Sequence, residues 1–294
     1  MNQWQQFLRP HSIPEAIQAL SSAPGPAIPI AGGTDLLLDL EQGRHTPVHT
    51  LVDLTSIPEL QIIEEREDEL FIGAAAPLNR IARHPLVNQH AQALVEACDL
   101  VGGPQVRNVA SLGGNVAHAL PAADGTIALL ALNAQAQVAG STGLRRMSFE
   151  NLFLGPGKSA LKHGEELLTG FYIPKNNKPQ QASCFKRIMR PQGVALPILN
   201  LAIWMEGEEA VIREIRIAVG PGAAIPWRAR QTEEALVGKP LNEMNRKTAV
   251  ETLLSHVGFR SSPRRASADY RRHLVEGLFE ETLTTALQRT TRPA

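Results

Sequence analysis

Two short stretches carry the residue types that could hold an anionic ligand. Val109-Ala-Ser-Leu-Gly-Gly-Asn-Val116 sets paired glycines between Ser111 and Asn115, and Pro121-Ala-Ala-Asp124 and the apolar run Ile127 to Leu132 follow it. Ile28-Pro-Ile-Ala-Gly-Gly-Thr-Asp-Leu36 is a second stretch of the same type. Paired glycines let a backbone turn tightly and approach a ligand with no Cβ between. An apolar strand, a glycine loop, a polar bridge and then a helix is a common way to build a phosphate cradle. Two such loops suit a ligand with more than one phosphate. Taken singly, each reads as well as an ordinary turn, and Asp35 and Asp124 as helix caps.

Three sharper motifs fail on spacing. Gly157-Lys-Ser159 would close a nucleoside-triphosphate loop only with glycine five positions before Gly157, where Leu152 stands. Gly220-Pro-Gly222 begins like a dinucleotide fingerprint, but Ile225 occupies the third glycine position and a proline follows, so a turn is expected. The nine histidines form no H-x-x-x-H or H-E-x-x-H set; His84 and His90 read as surface residues, and His118 lies near the main loop without an assigned role. No catalytic triad, carboxylate pair or metal-ligand set emerges.

Composition narrows the classes further. The 294 residues suffice for one large domain or two ordinary ones, and 43% hydrophobic content is that of a globular chain. The 29 basic and 29 acidic side chains cancel, so the charge footprint of a nucleic-acid binder is missing. Cys98 and Cys184 are too few for an iron–sulfur cluster or zinc site and read as reduced core thiols. The first residues lack a signal-peptide pattern, and residues 194–205, interrupted by Pro197 and Asn200, are too short to span a membrane. The expectation is a soluble cytoplasmic protein.

The elements that must position the two loops follow from periodicity and caps. Ser12-Ile-Pro-Glu15 has the capping-box pattern for a helix to about Leu20. Residues 27–30 form a brief strand feeding the first loop, and Thr34 or Asp35 caps the helix that begins at Leu36. Strands follow at residues 51–54 and 70–73 around an acidic hairpin, and a helix carrying Leu94, Ala97 and Cys98 stops at Gly102-Gly103-Pro104. Another strand covers residues 136–139. After a polar hinge at residues 175–179, strands at 182–189, 194–205 and 210–219 suggest an antiparallel meander. Helices at 232–236, 243–257 and from Ser267 to about Leu287 complete the chain, where Arg271 and Arg272 read as ion-paired on a solvated face or, alternatively, as a domain or subunit contact.

Taken together, Ala31-Gly-Gly-Thr-Asp35, Asp53-Leu-Thr-Ser-Ile-Pro-Glu-Leu60, Gln105 through Asn115, Pro121 through Asp124, Leu167 through Pro174, Phe185-Lys186 and Ala268-Asp-Tyr-Arg-Arg272 resemble one family. The chain resembles the medium, FAD-binding subunit of the molybdenum hydroxylases, the group that includes xanthine dehydrogenase and carbon monoxide dehydrogenase. Each motif is weak alone; their joint order, from about Phe7 to the final helix, is specific.

The resemblance implies an α+β chain. A two-lobed FAD-binding domain of the PCMH type would cover residues 1–176. A small domain of the carbon monoxide dehydrogenase flavoprotein C-terminal type, a three-stranded antiparallel sheet with helices, would cover 180–294. It implies FAD as the cofactor, with Pro29, Ile30, Ala31, Gly32, Gly33, Thr34, Asp35 and Leu36 along the first loop and Ser111, Leu112, Gly113, Gly114 and Asn115 along the second. Backbone N–H groups of both loops would donate to the pyrophosphate. Asp124 would meet ribose or ribityl hydroxyls, Leu168 and Val101 would supply apolar contact, and Lys186 would lie near the isoalloxazine ring. In the loop from Arg187 to Pro197, Gly193 stands where members often carry an acidic residue, so NAD as electron acceptor is not carried over.

The implied role is an electron-transfer oxidoreductase subunit, working with an iron–sulfur small subunit and a molybdenum-cofactor large subunit in an assembly of two copies of each chain. The molybdenum cofactor and 2Fe-2S clusters would lie only in those partners. A stand-alone FAD oxidoreductase and a cofactor-free assembly protein of the same fold are the alternatives.

Overall fold

The computed structural model describes residues 3–190, 196–208, 211–263 and 265–291. The expectation for Gly193 therefore falls outside the described residues.

The N-terminal lobe is a small parallel sheet in which Thr50–Asp53 lies between Gln6–Leu8 and Ala27–Ile30. Helix Ile13–Ser21 connects two of these strands. Its start follows the capping pattern: Ser12 Oγ accepts the Glu15 N–H, while the Glu15 carboxylate reaches back to the His11 N–H. Ala16, Ile17 and Leu20 pack with Val52 and Leu54. The parallel strands end together, so Ile30 delivers the chain into residues 31–35 at the sheet's C-terminal edge, where ligands of such sheets commonly sit.

The second lobe is a five-stranded antiparallel sheet ordered Ile63–Arg66, Glu69–Gly73, Leu167–Pro174, Gln135–Gly140, Gly143–Ser148. Leu167–Pro174 takes the centre because its residues are buried on both faces as far as Ile173. Helices Gln92–Leu100 and Asp124–Ala131 cover the sheet; every residue of the latter is buried. His90, expected at the surface, is buried, with Nε2 3.1 Å from a Glu65 oxygen and Nδ1 3.2 Å from the Asn176 carbonyl. The Gly157-Lys-Ser159 stretch closes a tight two-stranded hairpin.

The C-terminal half is built on Gln181–Ile188, Leu199–Glu208 and Val211–Gly220, paired antiparallel in that order. A fourth strand, Trp227–Arg228, adds to the expected three by pairing with Ala218 and Val219. The second strand starts at Leu199, later than expected. Helices Arg230–Leu236, Glu243–His256 and Ala268–Thr290 follow, the last capped by Ser267 Oγ on the Tyr270 N–H. Arg271 and Arg272 form no ion pairs among the described residues: Arg271 is buried and donates to the carbonyls of Ile198 and Arg260, and Arg272 to those of Leu254 and Val257. They tie loose backbone ends to the last helix.

The two halves share one core. Phe185, Ala202, Trp204 and Ala218 join the cluster formed by Leu94, Ala97 and Ile127, while Cys184, Leu201 and Ile203, on the opposite face, pack under the C-terminal helices. Residues 175–179 carry no regular element yet are pinned: Asn176 Oδ1 accepts from Trp204 Nε1 at 2.8 Å, and Glu206 accepts from both Lys178 and Gln181 at 2.8 Å. Glu96 accepts the Phe185 N–H at 2.7 Å and pairs with Arg289.

Candidate functional site

Residues 31–35 and 109–115 come together. A Cβ added to Gly32 would lie 2.1 Å from the Val109 carbonyl oxygen, so the two backbones touch where only glycine fits. Around this contact open three adjoining compartments. The first, about 260 Å³, is lined by Thr34, Asp35, Leu78, Val101, Val106, Gly114, Asn115, His118, Asp124, Arg187, Leu196, Pro197 and Arg265. The second, about 410 Å³, is lined by residues 27–31 and 33–36 together with His45, Gly114, His118, Lys162 and His163. A narrower third, about 90 Å³, reaches Pro29, Ala31, Ser111, Gly113 and Leu168. Gly114 lines all three. A branched trough of this kind suits an extended ligand better than a compact one.

The donors differ between the loops. In the first, the N–H groups of Gly32, Gly33, Thr34 and Asp35 have no acceptor among the described residues. Gly33 sits at φ 66°, the left-handed conformation used where successive N–H groups form an anion-binding concavity. In the second, no strand precedes the glycines. Ser111 instead caps a short helix, Leu112–Ala117, by accepting the Gly114 N–H at 3.1 Å. The Gly113 N–H goes to Ala74 O at 2.7 Å and the Asn115 N–H to Ser111 O at 3.1 Å. The expected phosphate donors of the second loop are thus engaged within the chain. Gly113 is required for packing, since a Cβ there would lie 2.6 Å from the Ala74 oxygen. A Cβ on Gly114, by contrast, would meet only Ser111 Oγ, at 3.2 Å, and otherwise stands in the open trough.

Asp124 is buried in the wall of the first compartment, at the start of its helix. Its Oδ2 accepts from Arg187 Nη1 at 2.5 Å and its Oδ1 from Asn200 Nδ2 at 2.6 Å. Burial pushes its carboxyl above the usual range, opposed by the Arg187 charge and the Asn200 amide. Both oxygens therefore have partners in the protein, where the expectation was hydroxyls of a ligand.

The cation on the wall is one residue later than expected. Lys186 lines none of the three compartments; its Nζ pairs with Glu281 at 2.7 Å on the last helix, a bond that raises its pKa. Side chains alternate along a strand, and Phe185 faces the N-terminal core, so Arg187 shares that face and Lys186 faces away. This period of two, counted from Phe185, was the signal in the sequence that pointed to Arg187. Leu112 also leaves the site and sits in the core, and Gly32 acts by its contact rather than by lining the trough. Pro29, Ile30, Ala31, Gly33, Thr34, Asp35, Leu36, Val101, Ser111, Gly113, Gly114, Asn115, Asp124 and Leu168 do line it. His118, left without a role by the sequence, lines two compartments. Among the described residues, no group of His, Cys, Asp or Glu is placed to hold a metal, and no helix is long and apolar enough to cross a membrane.

Residues 3–176 match the family described as FAD binding domain in molybdopterin dehydrogenase, and residues 183–286 the CO dehydrogenase flavoprotein C-terminal domain. The chain is 30% identical to a putative xanthine dehydrogenase FAD-binding subunit of Escherichia coli, over 96% of this chain and 95% of that one. It is 30% identical to the nicotine 6-hydroxylase medium subunit of Paenarthrobacter nicotinovorans, over 97% and 98%. A chain of carbon monoxide dehydrogenase from Hydrogenophaga pseudoflava superposes with a TM-score of 0.91 at 26% identity, covering 97% of this chain and 98% of that one. With both family matches in chain order and the glycine loops facing one trough, the chain belongs to the family of FAD-binding subunits of the molybdopterin dehydrogenases.

Proposed function

We propose that the chain is the electron-transfer flavoprotein subunit of a molybdenum-containing hydroxylase or dehydrogenase, with FAD lying along the trough. The observation that carries this reading is the backbone contact of Gly32 with Val109, which sets unpaired N–H groups at the junction of compartments able to take the two ends of a dinucleotide. The residues fit the cofactor. Gly32 to Asp35 offer uncommitted N–H donors for the pyrophosphate, and His118 and Lys162 stand nearby with further donors. Val101, Leu168 and Leu36 supply apolar wall. When bound, FAD supplies the chemistry of accepting electrons and giving them up.

The chain's own residues bind, orient and shield. Among the described residues, Asp124 is committed to Arg187 and Asn200 and both cysteines are buried, so none of these is offered to an organic substrate as acid, base or nucleophile. Substrate chemistry is therefore assigned to a molybdenum-cofactor large subunit, with an iron–sulfur small subunit as electron donor and two copies of each chain in the assembly. Residues 1–176 form the FAD-binding unit and 180–294 the second unit. A cytoplasmic setting accords with two thiols left unpaired.

Purification from the native host through a tag on this chain tests the proposal. Flavin equimolar with the chain, iron and molybdenum in co-purifying chains, and substrate oxidation only by the assembly are expected. A metal-free monomer that turns over an organic substrate would overturn it.

A further inference from the structure

Arg187 has its charge balanced and its five N–H donors only partly used. Its side chain is 7% exposed, Nη1 donates to Asp124 Oδ2 at 2.5 Å, and Nη2 donates to Met189 Sδ at 3.2 Å. Nε, also buried, has no partner. An unmade hydrogen bond at a buried charged group is costly, and such groups ordinarily find a partner. Here the group lies on the wall of the first compartment. Asp124 is itself fixed by Asn200, whose Nδ2 donates to Asp124 Oδ1 at 2.6 Å and to the Ala122 carbonyl at 3.1 Å. The guanidinium is thus fixed in the compartment wall, with N–H groups that no acceptor among the described residues takes.

The compartment limits what that occupant is. Thr34, Asp35, Gly114 and His118 line both larger compartments, so phosphates held at that junction leave one end group for each. The Arg187 side is walled by Leu78, Val101, Val106, Leu196 and Pro197. An apolar slot with one buried cation suits a flat ring that gains negative charge. A flavin ring that takes up two electrons and one proton carries one negative charge, and low polarity around it strengthens a nearby positive partner.

We propose that Arg187, oriented by Asp124 and Asn200, sets its guanidinium against the flavin ring of the bound FAD and raises its reduction potential. Arg187 touches the cofactor; Asp124 and Asn200 are positioning residues that act through it. The proposal rests on the FAD reading above.

The test is the midpoint potential of the FAD-loaded full chain, measured by dithionite titration against a reference dye, for the parent and three variants. Arg187→Met keeps the apolar stem and removes the donor. Preference for reduced over oxidised FAD is expected to fall about tenfold, a shift of about 30 mV to more negative potential for a two-electron couple. Arg187→Lys, which keeps the charge, recovers part of the shift. The double variant Asp124→Asn with Arg187→Met balances the buried charge, stays folded, and shows the full shift. An unchanged potential with FAD bound overturns the proposal. So does an equal loss of affinity for oxidised and reduced FAD, which would put Arg187 on the phosphates or adenine. A parent chain that binds no FAD is a different result, and it refutes the FAD reading itself.

Discussion

Replacing Gly114 by valine separates ligand binding from folding. The added Cβ meets only Ser111 Oγ at 3.2 Å, a contact relieved by a shift of a few tenths of an ångström. Gly114 lies within the short helix Leu112–Ala117, where valine is slightly preferred to glycine, so the apo protein's stability should stay within about 1 kcal/mol of the parent. The two γ-carbons, however, enter the point at which all three compartments meet. An occupant forced about 1 Å from the Gly32–Asp35 donors loses at least one to two charge-assisted hydrogen bonds of about 1.5–3 kcal/mol each. That weakens FAD by at least about tenfold, and by about 100-fold for 3 kcal/mol. Gly32→Ala is the contrasting variant. Its Cβ would sit 2.1 Å from the Val109 oxygen and 2.5 Å from the carbonyl carbon, so the two loops must part and the apo protein itself should lose about 1–3 kcal/mol. The assay is FAD titration by flavin fluorescence, with urea denaturation of the flavin-free chains alongside. Gly114→Val binding FAD within threefold of the parent would refute the placement of the ligand at this junction.

Three further outcomes are expected. Cys98 and Cys184 are 0% and 1% exposed, and burial pushes the Cys98 thiol well up and the Cys184 thiol up to about 12, so a thiol reagent at pH 8 should label neither in the folded chain and both in urea. Glu206 is held below its usual carboxylate value by the bond from Lys178 and that from Gln181; this contribution is present above pH 4.5 and fades as pH falls through the lowered value, so Glu206→Gln should flatten the acid limb of the stability–pH profile without changing its neutral shape. Trp204→Phe removes the bond to Asn176 and should cost about 0.5–1.5 kcal/mol plus the smaller ring's lost packing, measured by circular dichroism in urea; no loss would mean the segment 175–179 is not held by that bond.

Most elements were legible because local chemistry announced them. Ser12 with Glu15, and Ser267, are caps whose partners lie within four residues, and the irregular segment at 175–179 is marked by polar residues beside Pro174 and Pro179. What was not legible depends on contacts distant in sequence. Ser111 reads as part of a loop until its hydroxyl is seen to cap a helix and Gly113 is seen against Ala74, which lies in another element. The burial of His90 needs Glu65 and Asn176, and that of Arg271 needs Ile198 and Arg260. In the site, the first loop's N–H groups are left without acceptors among the described residues, a local feature that needs no distant contact. The cation did not, because Lys186 and Arg187 are neighbours of like charge whose directions are set by how Phe185 packs. Asp124 is an acceptor on either reading; only the fold shows that Arg187 and Asn200 take both its oxygens.

The central claim is that one dinucleotide spans the trough, with its phosphates at the Gly32–Asp35 donors and an end group on each side. It is tested most directly by titrating the flavin-stripped chain with FAD, FMN and ADP in turn. FAD should bind at one per chain and at least about tenfold more tightly than either half, and FMN and ADP should each be displaced by it. No saturable FAD binding, or FMN binding as tightly as FAD, would contradict it.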